Sequence, residues 1–249
     1  IRFLRTGCLL KMVQYEEMSS FYDQLTMDQP YETWLDIVTQ FSNQKHSILD
    51  LGCGTGSFTT LLNQFDHVTG MDLSVDMLAV AREKSNAVNW IEGDMTDFDL
   101  QQQFDAITIF CDSLNYLGET EDVQQTFERV FHHLKDDGVF MFDVHTLYKM
   151  STLFNDQCYI DETDQVFLAW EAVKGEEPDS VWHDMSFFVA QADGTYRRFD
   201  ESHYQRTYAE DDYKQMLLQA GFKHIETFVD FDVQNHSDKG HRLFFIVTK

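Results

Sequence analysis

Apolar residues recur with two different periods along this chain. Up to about residue 145, short apolar runs of strand length alternate with segments whose apolar side chains return every three or four positions. The runs are Ser47 to Leu51, His67 to Asp72, Val88 to Glu92, Phe104 to Phe110 and Val139 to Val144. Between them, Phe58-Leu61-Leu62-Phe65, Val75-Leu78-Ala79-Arg82 and Val123-Phe127-Val130-Phe131-Leu134 predict helices. Strand and helix alternating in this way predict an α/β fold, a parallel sheet with helices on both faces. From about 150 to 208 the pattern shortens to alternation, as in Val166-Phe167-Leu168-Ala169-Trp170 and Ser186-Phe187-Phe188-Val189, with a turn signal at Asp193-Gly194, so a late β-rich insertion is predicted. A helix carrying Tyr213, Met216, Leu217 and Leu218 then stops at Gly221, and Ile225 to Phe231 and Leu243 to Val247 complete the sheet.

Composition narrows the picture. With 249 residues and only two prolines, the chain suits one sizeable domain carrying an insertion better than two linked domains. Its 43 acidic against 18 basic residues leave a formal charge of −25, which disfavours nucleic acid as a partner. Cysteines stand alone at 8, 53, 111 and 158, so neither a disulfide framework nor a metal site is indicated, and a reducing cytoplasmic setting fits. No apolar run reaches the length of a membrane span. Residues 1–11 carry Arg2, Arg5 and Lys11 around Leu9-Leu10 without the long apolar core of a signal peptide, and Met12 offers a natural start.

The chemistry concentrates where the first strand ends. Ile48-Leu49-Asp50-Leu51-Gly52-Cys53-Gly54-Thr55-Gly56 is a buried strand running into a glycine-rich turn and then a helical pattern. Such glycines allow a tight turn and bring backbone amides close to a ligand. A dinucleotide fingerprint places Gly or Ala where this chain has Ser57, and the Gly-Lys-Ser/Thr of a phosphate-binding P-loop is absent. Asp72 ends the second strand within reach of the same crevice, where a carboxylate can accept both ribose hydroxyls. The passage Leu73-Ser74-Val75-Asp76-Met77-Leu78 follows, with Ser74 placed to cap a helix.

Together with Glu92-Gly93-Asp94-Met95, Phe104-Asp105-Ala106-Ile107-Thr108-Ile109-Phe110-Cys111-Asp112-Ser113-Leu114-Asn115-Tyr116 and Gly138-Val139-Phe140-Met141-Phe142-Asp143, this ordered series resembles the class I S-adenosylmethionine-dependent methyltransferases. Within them it looks most like the small methyltransferase-25 type, which includes sugar-amine N-methyltransferases. The resemblance implies a Rossmann-like seven-stranded sheet in the order 3-2-1-4-5-7-6 with the seventh strand antiparallel. It also implies S-adenosylmethionine held by Asp50, Gly52, Cys53, Gly54 and Gly56, by Asp72 with Leu73 and Met77, by Asp94 and Met95 at the adenine, and by Cys111 beneath the methionine part. Related enzymes place a helical cover where Tyr15, Tyr22, Tyr31 and Trp34 precede the fold, and Tyr22 is the aromatic expected to contact the sulfonium or a cationic acceptor. The organisation expected is therefore 1–40 as leader and cover, 41–149 as the cofactor-binding core, 150–208 as an insertion serving as acceptor lid or dimer contact, and 209–249 as completion of the sheet.

Methyl transfer from a sulfonium needs an acceptor lone pair held in line and water excluded, and it needs a base only when the acceptor is protonated. His145, directly after the fifth strand, is the expected base, with a pH limb near 6 to 7, and His203 is a second candidate. Trp170, Trp182, Phe187 and Phe188 are candidates to floor an acceptor pocket or simply to pack the strands. The leading expectation is methylation of a small-molecule amine or hydroxyl. An RNA-modifying enzyme would need a basic track, and an Asn-Pro-Pro-Tyr motif is absent. A non-catalytic module that only binds the cofactor is the third alternative.

Overall fold

In a computed structural model that describes residues 29–44 and 46–249, the two periodicities become two sheets. The larger is built from β1 (Ser47–Leu51), β2 (His67–Asp72), β3 (Asn89–Glu92), β4 (Phe104–Ile109), β5 (Leu134–His145), β10 (His224–Val229) and β11 (Arg242–Thr248). Its order is β3-β2-β1-β4-β5-β11-β10, with β1 to β5 parallel and β11 antiparallel to both its neighbours, which is the order the resemblance implied. Alternate residues serve opposite faces. Leu49, Leu51, Ile107, Ile109, Phe140 and Phe142 pack toward α3 (Thr120–His133) and α5 (Glu210–Ala220), meeting Val123, Phe127, Tyr213 and Leu217. Ile48, Ala106, Val139 and Met141 pack toward α1 (Tyr31–Phe41) through Trp34, Ile37 and Val38. Burial on both faces is why these strands read as continuous apolar runs.

Helix α2 (Val75–Lys84) begins as expected, with the Ser74 hydroxyl accepting from the Met77 amide at 3.2 Å, and α5 ends at Gly221 with φ +112°. Three details depart from the pattern. The segment Phe58 to Phe65 buries Phe58, Leu62 and Phe65 as a helix would, but it winds only as a short turn at Thr59–Leu61. There Thr60 donates back to the Ser57 carbonyl and Thr59 to Asp50, bonds that compete with a regular helix. The fourth strand stops at Ile109 because Cys111 and Asp112 both take left-handed backbone, each with φ +56°. Leu218 is 55% exposed, since it lies off the face set by Tyr213, Met216 and Leu217.

The β-rich insertion is a four-stranded antiparallel sheet in the order β6-β7-β8-β9, from β6 (Gln157–Glu162), β7 (Val166–Lys174), β8 (Ser180–Ala190) and β9 (Tyr196–Arg206), reached through α4 (Leu147–Thr152). Its inward face lies over the carboxyl ends of the large sheet. At one end Val166, Phe187, Val189 and Phe199 close on Met77 of α2, and at the other Ala172 and Val181 close on Met150 and Phe154. The pleat divides the four aromatic candidates, with Trp170 and Phe187 on the inward face and Trp182 and Phe188 on the outer one.

The carboxyl end is tied together by one buried carboxylate. Asp143 of β5 accepts from Trp34 Nε1 and from the Cys111 amide at 2.8 and 2.9 Å, from the Asp112 amide at 3.2 Å, and pairs with the Arg242 guanidinium. Arg242 in turn stacks on the Trp34 ring at 5.0 Å. Removing the carboxylate strands a buried cation and leaves the left-handed turn unheld. Asp143→Ala is therefore expected to lower the unfolding free energy by about 3 kcal/mol or more, read from urea titration. A loss under about 1 kcal/mol would show that this carboxylate does not organise the end of the sheet.

Candidate functional site

The glycine-rich loop is held from three sides. Gly52 and Cys53 donate to the Met71 carbonyl at 2.8 and 3.1 Å, and Lys84 reaches from the end of α2 to Thr55 and Ser57 at 3.0 and 2.7 Å. Gly52, Gly54 and Gly56 have φ of +69°, +54° and +74°. A Cβ on Gly52 would stand 2.7 Å from Ser113 Cβ, and one on Gly56 would stand 2.4 Å from the Trp90 ring, so neither position admits a side chain. Gly54 has nothing within 4 Å of where its Cβ would be, while its amide is held by Asp72.

Asp50 and Asp72 divide the work beneath the loop. Asp50 is buried and gives its two oxygens to Thr59 and Thr108 at 2.6 and 2.8 Å, and burial pushes its pKa up to about 6. Asp72 accepts from the Gly54 amide at 2.7 Å and the Ser74 amide at 2.8 Å, and burial raises its pKa from the ordinary value. It stands at the carboxyl end of β2, beside the loop. Asp94 is exposed and Met95 half-buried at the end of β3, with Met95 Cε 3.3 Å from the position of a Gly52 Cβ. Leu73 is 62% exposed at the rim. These residues gather at the carboxyl ends of β1, β2 and β3, around the glycine loop.

The other expected residues are placed differently. Met77 is buried beneath the small sheet with Val166 and Phe187, although it stands one turn into α2 beside the crevice. Burial raises the thiol pKa of Cys53 and of Cys111, which keeps both neutral. Cys111 lies at the carboxyl end of β4 as anticipated. Trp34 faces Asp143 and Arg242 in the core, away from any ligand, and Tyr15 and Tyr22 lie outside the described residues.

His145 ends β5 at the carboxyl edge, but it is 2% exposed and both ring nitrogens are engaged. Lys149, which can only donate, lies 3.2 Å from Nδ1, so Nε2 carries the proton and donates to Gln205 Oε1 at 3.0 Å. The same logic orients His183, whose Nδ1 accepts from Trp170 Nε1 at 3.0 Å and whose Nε2–H donates to the same Gln205 oxygen at 3.0 Å. With its oxygen taking two N–H groups, the Gln205 amide nitrogen donates to Asp112 Oδ2 at 3.1 Å. Burial pushes His145 down to about 3 and His183 down to about 4. Burial alone would raise Asp112, but the His145 N–H, Arg242 at 3.0 Å and Lys149 outweigh it and hold this carboxyl well below the ordinary range. Asp112 is thus a fixed negative charge at the turn beside the glycine loop. A titration of His145 near pH 6 to 7, expected from the sequence, does not fit its burial and its two occupied nitrogens.

Asp112, Asn115, Lys149, Gln205 and Arg242 were not singled out from the sequence. Most of their partners are distant in the chain, from 22 positions for Gln205 and His183 to 99 for Arg242 and Asp143, as when Asn115 donates to the Arg206 carbonyl and accepts from the His145 amide. The one local signal was Arg242, a basic residue opening an apolar strand in a very acidic chain.

Known proteins share this architecture. Residues 48–138 match the family model described as "Methyltransferase domain". The chain is 40% identical over 242 residues to "Putative methyltransferase YqeM" of Bacillus subtilis (strain 168), covering 94% of this chain and 97% of that one. It is 27% identical over 186 residues to the dTDP-3-amino-3,6-dideoxy-alpha-D-glucopyranose N,N-dimethyltransferase of Streptomyces fradiae, covering 74% and 73% of the two chains. A crystal structure of an S-adenosylmethionine-dependent methyltransferase from Clostridium acetobutylicum ATCC 824 superposes with a TM-score of 0.84 at 29% identity, over 94% of this chain and 98% of that one. The sheet order found here is that of this group, and the chain belongs to the class I S-adenosylmethionine-dependent methyltransferases.

Proposed function

We propose that this methyltransferase modifies a small-molecule amine, bound between the carboxyl ends of β4 and β5 and the inward face of the small sheet. The observation that carries this reading is the character of that space. Asp112 is fixed as an anion there, and the inward sheet face above it presents Glu201 and Trp170. Carboxylates with an aromatic ring suit an ammonium group, and the amino-sugar substrate in the name of the Streptomyces fradiae relative is of this class. The acidic balance of the chain argues against an RNA acceptor.

In this reading the glycine loop from Gly52 to Gly56 receives the methionine end of the cofactor, Asp72 the ribose hydroxyls, Asp94 and Met95 the adenine, and Leu73 and Met77 the rim of that pocket. Cys53 and Cys111 border the methionine part as neutral thiols, and Tyr22 is assigned to the cover. Asp50 acts from behind, its bonds to Thr59 and Thr108 fixing the strand that feeds the loop. When bound, S-adenosylmethionine supplies an electrophilic methyl group, so the protein's task is to align the acceptor nitrogen and exclude water. His145 serves this task by holding Gln205 and through it Asp112, rather than by titrating.

Three outcomes test these assignments. Asp72→Ala removes two charge-assisted bonds of about 1.5 to 3 kcal/mol each and is expected to weaken S-adenosylhomocysteine about tenfold or more in calorimetry. Unchanged affinity would take Asp72 out of the site. His145 and His183 bind protons more weakly when folded than when unfolded, so their contribution is full above about pH 6.5 and is lost as pH falls toward 4. Urea midpoints should decline over that window, and the decline should flatten in His145→Gln/His183→Gln. Finally, methyl transfer assayed against small amines, including dTDP-3-amino-3,6-dideoxy-α-D-glucopyranose, and against matched hydroxyl compounds and RNA should favour the amines. Transfer confined to hydroxyls or RNA would overturn the amine reading.

A further inference from the structure

Glu201, His203 and Tyr116 form a hydrogen-bonded chain that the cofactor crevice does not use. His203 Nε2 lies 2.8 Å from Glu201 Oε2, and His203 Nδ1 lies 3.3 Å from the Tyr116 hydroxyl. His203 is 1% exposed and the Glu201 side chain 7%, while Tyr116 is half-buried. The two β9 residues are two apart, so both point from the inward face toward the large sheet. An ionised carboxylate only accepts, which places the proton on Nε2 and turns the Nδ1 lone pair to the phenol. The rings meet edge to face at 75°, with centroids 5.9 Å apart.

Tyr116 connects this pair to the crevice. It ends the turn Ser113–Tyr116 that follows β4, and that turn rests beside the glycine loop, with Ser113 Oγ donating to the Phe110 carbonyl at 2.8 Å and lying 3.1 Å from the Gly52 carbonyl oxygen. Asn115, its neighbour, is pinned to β9 through the Arg206 carbonyl at 2.8 Å. The phenol therefore reaches from the turn that follows β4 to His203 on the small sheet.

An ammonium acceptor must lose one proton for each methyl group it gains. Asp112 is too weak a base to take it, and His145 has no free nitrogen. We propose that Tyr116, His203 and Glu201 are the proton relay of this transfer, an inference that rests on the amine reading above. The phenol oxygen receives the acceptor's proton while its own proton passes to His203 Nδ1, and Glu201 holds the resulting imidazolium. The acceptor nitrogen ends with one more bond to carbon and one proton fewer, Tyr116 keeps its proton count, and the proton on His203 returns through the phenol to water after product leaves. The charged and titratable groups around the imidazole agree with this step. His183, opposite in register on β8, stays neutral because burial pushes it down to about 4, so it adds no positive charge beside the imidazolium. Arg206 on β9 is turned away to the Gly118 carbonyl at 3.0 Å.

The test uses the full chain with S-adenosylmethionine and dTDP-3-amino-3,6-dideoxy-α-D-glucopyranose as the probe amine. Tyr116→Phe, which removes only a hydroxyl, should leave S-adenosylhomocysteine affinity within about twofold in calorimetry and lower kcat about a hundredfold near pH 7. The deficit should shrink above the pKa of the amine itself, where the acceptor arrives already deprotonated, and His203→Gln should behave alike. A Tyr116→Phe rate equal to wild type at every pH overturns the relay. Nitrogen-15 NMR of histidine-labelled protein gives a second readout that needs no acceptor. His203 should be the Nε2–H tautomer with a hydrogen-bonded Nδ1, a signature altered in both Tyr116→Phe and Glu201→Gln. An Nδ1–H tautomer at neutral pH overturns the relay whatever the acceptor. Failure of the wild-type enzyme on every amine would instead sink the amine reading, leaving the tautomer to decide the relay.

Discussion

Everything at the reactive end of this molecule depends on the Asp143 carboxylate. Consecutive left-handed residues without glycine cost roughly 1 to 2 kcal/mol each, and Cys111 and Asp112 are such a pair. Asp143 offsets that strain by accepting both of their amides, and it repays its own desolvation by pairing with Arg242 and Trp34. Four segments distant in sequence thereby converge on one side chain. The antiparallel β11 matters here because its first residue, Arg242, lies opposite His145 at the carboxyl end of β5. A parallel last strand would put its first residue at the other end of the sheet.

From that turn the constraint passes outward to the small sheet. Asp112 receives Gln205, Gln205 receives both imidazoles, and the imidazoles are oriented by groups that can only donate, Lys149 and Trp170. Each link has one permissible donor and acceptor sense, so the chain defines the amide orientation of Gln205 and both tautomers. Buried networks of this kind specify geometry when every member is satisfied. The small sheet is therefore registered against the Cys111–Asp112 turn by hydrogen bonds, while its two apolar ends, on Met77 and on Met150 with Phe154, supply the burial that holds it there.

How legible this was from the sequence depends on the range of the interaction. The strands, α2 with its Ser74 cap and the stop at Gly221 are local, and the alternating pattern of 150–208 announced a separate sheet. The glycine loop and Asp72 were legible because their spacing is local too. The turn at Thr59–Leu61 escaped because apolar periodicity records which side chains are buried and ignores threonine hydroxyls that compete for the backbone. The sequence suggested His145 as a base because the end of β5 is the right place, but one ring nitrogen is taken by Gln205, 60 positions away, which no spacing rule links to it. Gln205 and Asp112 were invisible for the same reason.

The charge balance acquires a sharper meaning once the sites are known. Of the few basic side chains, Arg242 and Lys149 are buried and committed to Asp143, Asp112 and His145, so they add nothing to the outer field. They are matched by the buried carboxylates of Asp143 and Asp112, so the outer surface carries the whole formal charge of −25. Such a field concentrates cations and repels polyanions before any contact forms. Under the amine reading, Glu201 on the inward sheet face and Asp112, paired with Arg242, add carboxylates of the same sign beside the proposed crevice. A protonated amine drawn in by this field would arrive with its lone pair blocked. On that reading the acidity that selects the substrate creates the need for a neutral proton acceptor beside the methyl-donor crevice. Among the described residues His203, reached through Tyr116, is an imidazole whose assigned tautomer turns a lone pair toward that crevice.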